Sequence, residues 1–432
     1  MNAVPLHGAR AALAGVATVD PRQIAAAAGE IRAALRRPIA PGRIAAVLAE
    51  TCAAWRDRGW APRRAAIAAI GAAWGWSAAL LDESLDALLQ PFTRAALDQF
   101  ARAARPAGAL IGMIMPGNVP GAGMHEVAAA MLSGCGLMLK SATAEPIFFA
   151  ALARTLRAAD PAVGARLATL NWSRTDTAAS AALRRECDWI AAFGDEPTIA
   201  ALESAAGMEP APRALVGFGA RHSGAIVAGL ERAGAAESGA IAAAIAYDVS
   251  LFEQNGCLSP HQVMVEADTA RTAREFALRL AAALERSAQR MPPPAQVGME
   301  EAAAVRRARE SARWRALGGA DVELIEGGGW GDAARWSVIY DDRADFTISP
   351  GYRTVTVARW AGDDELRRRL APFAGRFEAF ALSAPETRAD SIRRVLHQLG
   401  VTYLCAPGAM QSPPLEWPHG GGVFLARLKG TR

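Results

Sequence analysis

Residues 107–121 read AGALIGMIMPGNVPG, and this stretch decides the fold class. An apolar run of strand length comes first, and a turn rich in proline and glycine follows it. Similar apolar runs, with helical segments between several of them, come at 136–140, 166–171, 187–193, 213–218 and 224–229. Such βαβ alternation predicts a parallel sheet covered by helices on both faces, in which ligands bind beyond the carboxyl ends of the strands.

The sequence on either side of this region also predicts regular elements. Residues 1–105 are rich in alanine and have the helical spacing of apolar residues that indicates several packed helices. A long helix over 237–254 stops at Asn255-Gly256, and a second α/β pattern follows it. We expect strands at 261–266, 321–326, 336–341, 354–360, 377–383, 401–406 and 422–428, and helices at 271–290, 299–316, 363–371 and 387–399. The last strand is placed to pair with a neighbouring chain at a sheet edge, which suggests an oligomer.

Composition and charge argue against several classes of protein. The 432 residues are 52% hydrophobic and 21% charged, which is typical of a folded chain with more than one core. The net charge of +4 comes from interleaved acidic and basic residues without long blocks of one sign, so a nucleic-acid partner is not expected. Apolar stretches are too short for a membrane span, and the N-terminus lacks a signal-peptide pattern. We therefore expect a soluble cytoplasmic protein.

The cysteines, histidines and lysines are informative by their spacing. Five cysteines occur without CxxC spacing, and six histidines stand at no metal-ligand interval from them, so neither a disulfide framework nor a metal site is expected. Of the 47 basic residues only Lys140 and Lys429 are lysines. Lys140 lies between an apolar strand and a helix, where a requirement for an ammonium group explains its choice over arginine. Lys140 is therefore a predicted ligand contact.

Residues 254–260, QNGCLSP, place Cys257 in a turn between a long helix and a strand. The preceding glycine allows close approach of the backbone, and the proline ends the element. This context predicts an accessible thiol that acts as a nucleophile. The alternative is that Cys257 is a structural cysteine, although core cysteines normally lie inside strands or helices, as expected for Cys187 and Cys405.

Asn118 stands in the turn that follows the first strong strand. A side-chain amide at the carboxyl end of a strand lies where ligands bind and can donate a hydrogen bond to a developing oxyanion. The alternative is an ordinary turn asparagine that bonds to its own backbone, and the segment by itself leaves both possibilities open.

Taken together, these segments resemble the aldehyde dehydrogenase superfamily, and within it the acyl-CoA reductases of the bacterial luminescence (LuxC) type. The resemblance extends in collinear order over roughly residues 106–425. The matching segments are PGNVPG at 116–121, LKSATAEP at 139–146, AFGDEPTI at 192–199, VGFGARHSG at 216–224, FEQNGCLSP at 252–260 and WPHGGG at 417–422.

The resemblance implies an α/β fold of the aldehyde-dehydrogenase type, with a Rossmann-type nucleotide-binding domain and an α/β catalytic domain. We expect the nucleotide-binding domain at 1–222, as a helical part at 1–105 and a Rossmann-type part at 106–222. The catalytic thioester domain is expected at 223–406. A C-terminal loop and an oligomerisation strand are expected at 407–432.

The resemblance also implies roles for single residues. Cys257 would form the covalent acyl intermediate, and Asn118 with the Cys257 backbone N–H would make the oxyanion hole. Lys140 would reach the adenosine ribose or its phosphate. The other implied cofactor contacts are Thr143, Gly194, Asp195 and Gly219. The helix that begins after Gly194-Asp195 would lie near the pyrophosphate, although a carboxylate at this position must point away from phosphate.

Two departures from the superfamily pattern bear on the reaction. Hydrolytic aldehyde dehydrogenases carry a Glu that activates water, and Gly217 stands at that position here. Without this base the acyl-enzyme should resist hydrolysis and be reduced instead. NAD-selective relatives often place a Glu where this chain has Thr143, so NADPH is favoured, with NADH as the alternative cofactor.

The implied activity is the NADPH-dependent reduction of a medium- or long-chain acyl thioester, carried by CoA or a carrier protein, to an aldehyde. An acyltransferase or synthetase partner and a homodimer or homotetramer are also implied. The alternatives are a CoA-acylating short-chain aldehyde dehydrogenase, a cysteine acyltransferase or thioesterase without redox chemistry, and a non-catalytic subunit. His419 is a weaker candidate for a residue bordering the substrate or nicotinamide, and His261 for a base beside Cys257; the alternative for each is a structural histidine.

Overall fold

A computed structural model describes residues 19–104, 107–206, 214–328 and 335–421, together with Phe424 and Ala426. The strands in chain order are β1 Leu110–Ile114, β2 Gly136–Ser141, β3 Leu167–Asn171, β4 Trp189–Phe193, β5 Ala214–Phe218, β6 His222–Val227, β7 Pro260–Glu266, β8 Val322–Gly327, β9 Trp336–Asp341, β10 Thr354–Trp360, β11 Phe377–Ser383 and β12 Tyr403–Cys405. The helices are α1 Pro21–Leu35, α2 Pro41–Arg56, α3 Ala61–Trp74, α4 Ala78–Leu89, α5 Arg94–Ala103, α6 Met124–Leu132, α7 Phe148–Ala159, α8 Pro161–Gly164, α9 Thr177–Glu186, α10 Glu196–Ala206, α11 Ala235–Ser250, α12 Ala270–Arg290, α13 Met299–Leu317, α14 Asp363–Leu370 and α15 Glu386–Gln398.

Residue contacts divide the chain into two compact units. The five-stranded unit contains β1–β5 and is formed by residues 19–73, Leu88–Ala220 and the chain from Pro414. The seven-stranded unit contains β6–β12 and is formed by Trp74–Ala87 and Arg221–Pro413. Among the described residues, Trp74–Ala87, which includes most of α4, belongs to the seven-stranded unit although it precedes the strands of that unit. The functional domains expected at 1–222, 223–406 and 407–432 stay a prediction.

The sheet of the five-stranded unit is parallel throughout, in the order β3-β2-β1-β4-β5. Its central strands consist of apolar residues that are buried on both faces, which is why they lack the alternating pattern of a half-exposed strand. Helix starts are marked in the sequence. Asp20 caps α1 by accepting from the Arg22 N–H at 2.8 Å, and Pro21 occupies the first helical position. Asp176 caps α9 in the same way through Ala179.

The seven-stranded sheet has the order β12-β11-β6-β7-β10-β9-β8. All neighbours pair in parallel except β8 and β9, which are antiparallel at one edge. One face packs on α14 and α15 through a cluster of buried side chains that includes Trp360, Leu366, Phe377, Phe380 and Leu396. This packing fixes the positions of the strand ends, and with them the loops that follow the strands.

One stretch of the described chain, Ala235–Gln254, is long and apolar enough to cross a membrane by length and composition. The bent pair α3 and α4 passes the same test only if both helices are counted together. Half of the apolar window in Ala235–Gln254 is buried within the protein. A core helix of a globular unit has the same character, so this stretch is weak evidence for a membrane span.

Most elements predicted from the sequence agree with the structure apart from details at their ends, and the strand predicted at 422–428 does not. The helix expected over 237–254 ends at Ser250, and the next four residues form a buried 3-10 turn, Leu251–Gln254. The strand expected at 422–428 lies outside the described residues except for Phe424 and Ala426. These two residues have helical backbone, so the structure does not support a strand there.

The core of the seven-stranded unit predicts a matched pair of stability effects. Leu366 is fully buried and Leu317 is 79% exposed. Leu366→Ala should lower the free energy of unfolding by about 2–5 kcal/mol, because it leaves a cavity in a packed cluster. Leu317→Ala should change it by less than about 0.5 kcal/mol. Urea denaturation of both variants checks this, and equal effects would contradict the packing described above.

Candidate active site

Cys257 lies in a short loop between the 3-10 turn Leu251–Gln254 and β7. Three successive residues of that turn, Phe252, Glu253 and Gln254, have φ angles of 54°, 53° and 61°. Side-chain-bearing residues adopt this left-handed conformation at a cost of about 1–2 kcal/mol each, and they keep it only where the surroundings enforce it. The loop that carries the thiol is therefore set by strong local constraints.

The strongest of these constraints is a buried ion pair between Glu253 and Arg353. Both side chains are fully inaccessible to solvent. Arg353 also donates to the carbonyl oxygen of Met291 at 2.9 Å. The N–H of Tyr352 donates to the carbonyl oxygen of Glu253 at 2.9 Å. Tyr352 and Arg353 are themselves left-handed, with φ of 51° and 54°, so two strained segments hold each other in place.

Further hydrogen bonds hold the loop at the start of β7. The Ser223 hydroxyl donates to the carbonyl oxygen of Cys257 at 2.6 Å, and the Gln254 amide donates to that of Pro260 at 2.7 Å. Gln411 donates to the Ser259 hydroxyl at 3.0 Å. Cys257 itself is half-buried. Its backbone is thus anchored on several sides while its side chain keeps some exposure.

The other four cysteines differ from Cys257 in their surroundings. Burial raises the pKa of Cys52, Cys187 and Cys405 to about 12, and Cys135 is fully buried. A thiol with such a pKa carries almost no thiolate at neutral pH and is a poor nucleophile. Of the five, Cys257 is the half-buried cysteine that lies in a loop.

His261 is the second residue of β7 and does not have the properties of a general base. Its Nδ1 accepts from the Ser349 N–H at 3.0 Å, and its ring lies 5.2 Å from that of His222. Burial, with a smaller contribution from His222, lowers the pKa of His261 to about 3. Burial and Arg376 lower the pKa of His222 to about 4. A neutral imidazole with so low a pKa attracts a thiol proton weakly, which counts against the role considered for His261.

Asn118 lies, half-buried, in the loop that connects β1 to α6 in the five-stranded unit. The loop is compact because of its glycines. Gly121 has a φ of +79°, and a Cβ there would overlap Leu88 and press on Phe148. A Cβ on Gly117 would come within 2.8 Å of the Ala142 Cβ. Asn118 is therefore held at the carboxyl end of the central strand, where the ligands of parallel sheets bind.

Lys140 lies at the same edge of that sheet. It is paired in register with Ile114, the last residue of β1, and is only 8% exposed. Burial lowers the pKa of its ammonium group to about 8, and the group stands 5.9 Å from the Trp172 ring. No carboxylate within the described parts of the chain forms an ion pair with it. A buried, unneutralised ammonium group at the ligand edge of a sheet is suited to an anionic ligand.

Thr143 lies in the tight turn that follows β2, between the bridged residues Ala142 and Glu145. Glu145 is the nearest acidic residue in the chain and was not singled out in the sequence. Its carboxylate caps α7 by accepting from the N–H groups of Ile147 at 3.1 Å and Phe148 at 2.8 Å. A Glu two residues from a turn and three before an apolar helix is a capping signal that the sequence did contain.

Asp195 and Gly194 precede α10, as expected from the sequence. The Asp195 carboxylate accepts from the Thr198 N–H at 2.9 Å, and Glu196 is the first residue of the helix. This carboxylate thus uses one of the N–H groups that a phosphate would need, and two acidic residues oppose an anion there. Gly219 follows β5 in an exposed position, and a Cβ added to it would meet open space, so no close packing requires a glycine.

Gly217 lies in β5, and a side chain at this position would point towards α10. A Cβ at this position would overlap the side chain of Ile199. A glutamate there would meet the packed face of α10, so this position has no room for a water-activating carboxylate.

His419 belongs to a cluster of rings in the five-stranded unit. Its ring stacks on Trp417 at 4.3 Å and lies 4.8 Å from Phe218 and 5.9 Å from Phe193. Phe193 and Phe218 are the last residues of β4 and β5, so His419 stands at the edge of the sheet that holds Asn118 and Lys140. Its Nδ1 is 2.8 Å from a carboxylate oxygen of Glu126, a residue that the sequence did not single out.

The described residues contain no cluster of side chains that could hold a metal ion. Among them, no three histidine, cysteine, aspartate or glutamate side chains come together with the geometry of a metal site.

The family model of the LuxC acyl-CoA reductases matches residues 77–431. The chain belongs to this family. It is therefore an oxidoreductase of the acyl-CoA reductase type, as the sequence motifs indicated. No curated protein sequence matches it.

Solved structures confirm the fold of this acyl-CoA reductase family member. A salicylaldehyde dehydrogenase from Pseudomonas putida G7, solved with salicylaldehyde, has 16% identity and a TM-score of 0.70 over 94% of this chain and 86% of its own. A NAD-dependent benzaldehyde dehydrogenase from Corynebacterium glutamicum has 14% identity and a TM-score of 0.67, with coverages of 90% and 87%. Aldehyde dehydrogenase 21 from Physcomitrella patens has 15% identity and a TM-score of 0.68, and the match covers 92% of this chain and 84% of its own. The predicted aldehyde-dehydrogenase-like α/β fold is thus correct.

The cysteine environments predict one fast-reacting thiol. In the folded protein at about pH 7.5, iodoacetamide should label Cys257 first, because high pKa values keep Cys52, Cys187 and Cys405 protonated. Peptide mapping by mass spectrometry after short exposure measures this. Cys257→Ala should remove the fast phase, and the matched variant Cys405→Ala should keep it. Equal labelling of Cys257 and Cys405 would contradict the prediction.

Proposed function

We propose that this protein reduces an acyl thioester to an aldehyde with NADPH, through an acyl-enzyme on Cys257. The observation that carries the proposal is the contrast among the cysteines. Cys257 has an anchored backbone and a partly exposed side chain, whereas burial raises the pKa of Cys52, Cys187 and Cys405 to about 12. Covalent catalysis by a thiol needs this combination of fixed position and access.

The first step is attack by the Cys257 thiolate on the carbonyl carbon of the thioester. The carbonyl oxygen becomes negatively charged and accepts hydrogen bonds from the Asn118 amide and the Cys257 backbone N–H. The S–C bond to the carrier then breaks, and the acyl group remains on Cys257. The position of Asn118 beyond the central strand supports this role.

The acyl-enzyme should resist hydrolysis because a glycine, Gly217, stands where hydrolytic relatives carry the base that activates water. The packing of Gly217 against Ile199 supports this view, since a carboxylate does not fit where hydrolytic relatives carry one. The nicotinamide, when bound, supplies the hydride that reduces the thioester. Cys257 then leaves as thiolate when the aldehyde is released, and the site is ready for the next substrate.

The residues of the five-stranded unit fit a nicotinamide dinucleotide. Lys140 has a buried ammonium group that forms no ion pair with any described residue, which is suited to a ribose phosphate or hydroxyl. The uncharged Thr143 brings no negative charge against a 2′-phosphate, which favours NADPH over NADH. The Glu145 carboxylate is held at the start of α7, where it accepts from the N–H groups of Ile147 and Phe148. Asp195 and Glu196 argue against a phosphate directly on the start of α10, so the contacts of Gly194, Asp195 and Gly219 would be through neutral parts of the cofactor.

The remaining parts of the proposal derive from the family alone. We propose a medium- or long-chain acyl group delivered on CoA or a carrier protein, with an acyltransferase or synthetase as a partner. We also propose a cytoplasmic location and a homodimer or homotetramer. The functional division expected from the sequence, with cofactor binding in 1–222 and thioester chemistry in 223–406, belongs to the same proposal.

The acyl-enzyme is tested by mixing the protein with acyl-CoAs of different chain length, without and with NADPH. Intact mass should show a single acyl adduct without cofactor, and NADPH absorbance should fall when it is added. Cys257→Ala should lose the adduct and lower the rate by at least about a thousandfold, because the nucleophile is gone.

The matched control is Cys405→Ala, which should keep both signals. An adduct that persists in Cys257→Ala overturns the mechanism. Thioester turnover without NADPH consumption points to an acyltransferase or thioesterase, and a preference for short acyl chains points to a CoA-acylating aldehyde dehydrogenase.

The role of Lys140 predicts pH-dependent cofactor binding. Its pKa near 8 means that the free enzyme loses this positive charge as the pH rises through about 8, so NADPH should bind more weakly above that pH. Lys140→Met should weaken binding by about 10- to 100-fold, as expected for one charge-assisted hydrogen bond. It should also remove the pH dependence near 8.

Fluorescence titration of NADPH from about pH 6.5 to about pH 9.5 measures both effects. The matched control is Lys429→Met, the loss of the only other lysine, which should leave the affinity unchanged. A Lys140→Met protein that binds as tightly as the wild type would exclude Lys140 as the phosphate contact.

A further inference from the structure

Glu126 and His419 form a contact whose chemistry the proposed function leaves unexplained. The His419 Nδ1 lies 2.8 Å from a carboxylate oxygen of Glu126. Glu126 is 2% exposed, and the side chain of His419 is 13% exposed. A buried carboxylate costs free energy unless it is paired, so this pair is a built feature of the unit.

The charge state of Glu126 follows from its neighbours. Burial acts to raise the pKa of Glu126, but His419, through its charge and its hydrogen bond, and the charge of His125 together outweigh it. The pKa therefore lies below its ordinary value, and the group is a carboxylate at neutral pH. A carboxylate accepts hydrogen bonds only, so Nδ1 of His419 carries the proton that lies between them.

Aromatic rings pack against the imidazole of His419 in addition to its contact with Glu126. Trp417 stacks on the imidazole with an interplanar angle of 21°, and Phe218 lies at 31° to it. Faces of aromatic rings attract a cation placed over them. A carboxylate at one ring nitrogen and aromatic faces beside the ring therefore both stabilise a protonated imidazole.

The pair lies at the same edge of the five-stranded sheet as Asn118. Glu126 is in the first turn of α6, which directly follows the loop that carries Asn118. His419 stands against the last residues of β4 and β5. A carbonyl oxygen bound by Asn118 has its leaving sulfur only two bonds away, so a group at this edge is placed to serve the leaving sulfur.

We propose that His419 donates the proton that the departing carrier thiolate takes up, and that Glu126 is the positioning residue that orients and charges the imidazole. The inference rests on the proposed function and deepens it. In the acylation step the bond between Cys257 sulfur and the acyl carbon forms, and the bond from that carbon to the carrier sulfur breaks with its electron pair. The imidazolium Nε2 proton moves to that sulfur, and the neutral ring regains a proton from solvent.

Proton balance favours this assignment over a role in the reductive step. The overall change converts thioester, NADPH and one proton into aldehyde, carrier thiol and NADP⁺. Breakdown of the reduced adduct on Cys257 expels a thiolate that attacks the next substrate directly, so no proton is consumed there. The carrier sulfur is the atom that ends the cycle protonated, since an alkyl thiol has a pKa of about 8.5.

Leaving-group chemistry provides the decisive test. Acyl-CoA expels a basic thiolate that needs a proton, whereas the matching acyl nitrothiophenyl thioester expels a far less basic one. In single-turnover acylation without NADPH, followed by thiol release and intact mass, His419→Asn should slow acyl-CoA by at least about 100-fold, the lower range for general acid catalysis. It should slow the nitrothiophenyl thioester by less than about fivefold.

The control and the opposing outcome use the same two substrates. His397→Asn alters an exposed histidine of the seven-stranded unit and should leave both rates unchanged. Equal slowing of both thioesters by His419→Asn would show a purely structural role and overturn the proposal. The rate with the nitrothiophenyl thioester also reports whether the variant is folded.

Glu126 is tested by the pH profile of acylation with acyl-CoA. The rate should fall as the pH rises and the imidazolium loses its proton. Glu126→Gln removes the neighbouring negative charge, so the fall should begin at a lower pH, and Glu126→Asp should restore much of the wild-type profile. His125, which also faces Glu126, is kept in all variants. A Glu126→Gln profile with an unchanged midpoint would contradict the positioning role.

Failure of this inference can be told apart from failure of the proposed function. Loss of the acyl adduct in Cys257→Ala with equal slowing of both thioesters in His419→Asn would overturn the inference alone. An acyl adduct that persists in Cys257→Ala would overturn both.

Discussion

The buried ion pair between Glu253 and Arg353 is the interaction on which the thiol loop depends. It joins two segments whose backbone is left-handed at residues that carry side chains, and neither segment would keep that conformation alone. Removing the Glu253 carboxylate would leave the charge of Arg353 uncompensated in the core, at a cost of about 3–5 kcal/mol. The buried pair therefore helps to fix the backbone of the loop that carries Cys257.

In the five-stranded unit, the sheet itself positions the candidate site residues. Its parallel strands finish together, so Asn118, Lys140 and His419 lie at the same edge of the sheet although they come from distant parts of the chain. Each is held by its own surroundings: glycines that permit a close turn, burial on both sheet faces, and a carboxylate beside a ring. The Asn118 amide, the Lys140 ammonium group and the His419 imidazole thus lie at the edge of the sheet where ligands of parallel sheets bind. This set of groups suits the binding of phosphate and the handling of oxygen and sulfur charges.

Much of the fold was predictable because its signals are local. Apolar runs buried on both faces of a parallel sheet, such as 107–115 and 136–140, stand out against the helical spacing around them. They contain β1, Leu110–Ile114, and nearly all of β2, Gly136–Ser141. The left-handed turn after α11 was not predictable, since Phe252, Glu253 and Gln254 continue the helical pattern and are diverted by a partner 100 residues away. Turn chemistry singled out Cys257 and Asn118 as candidates, whereas Glu126 looks like any first-turn acid of a helix.

The sequence by itself determined the strands, the helices and the residue types at the ends of strands, because those depend on periodicity and on turn residues a few positions apart. It also determined the family, because six motifs keep their order along the chain. Tertiary structure alone decided which charges meet. His419 contacts Glu126 across 293 positions, and no local spacing encodes that distance. Burial, which shifts the pKa of Lys140, Cys52, Cys187 and Cys405, likewise exists only once the sheets and helices have packed. The same holds for the contact with His419, which outweighs burial in setting the pKa of Glu126.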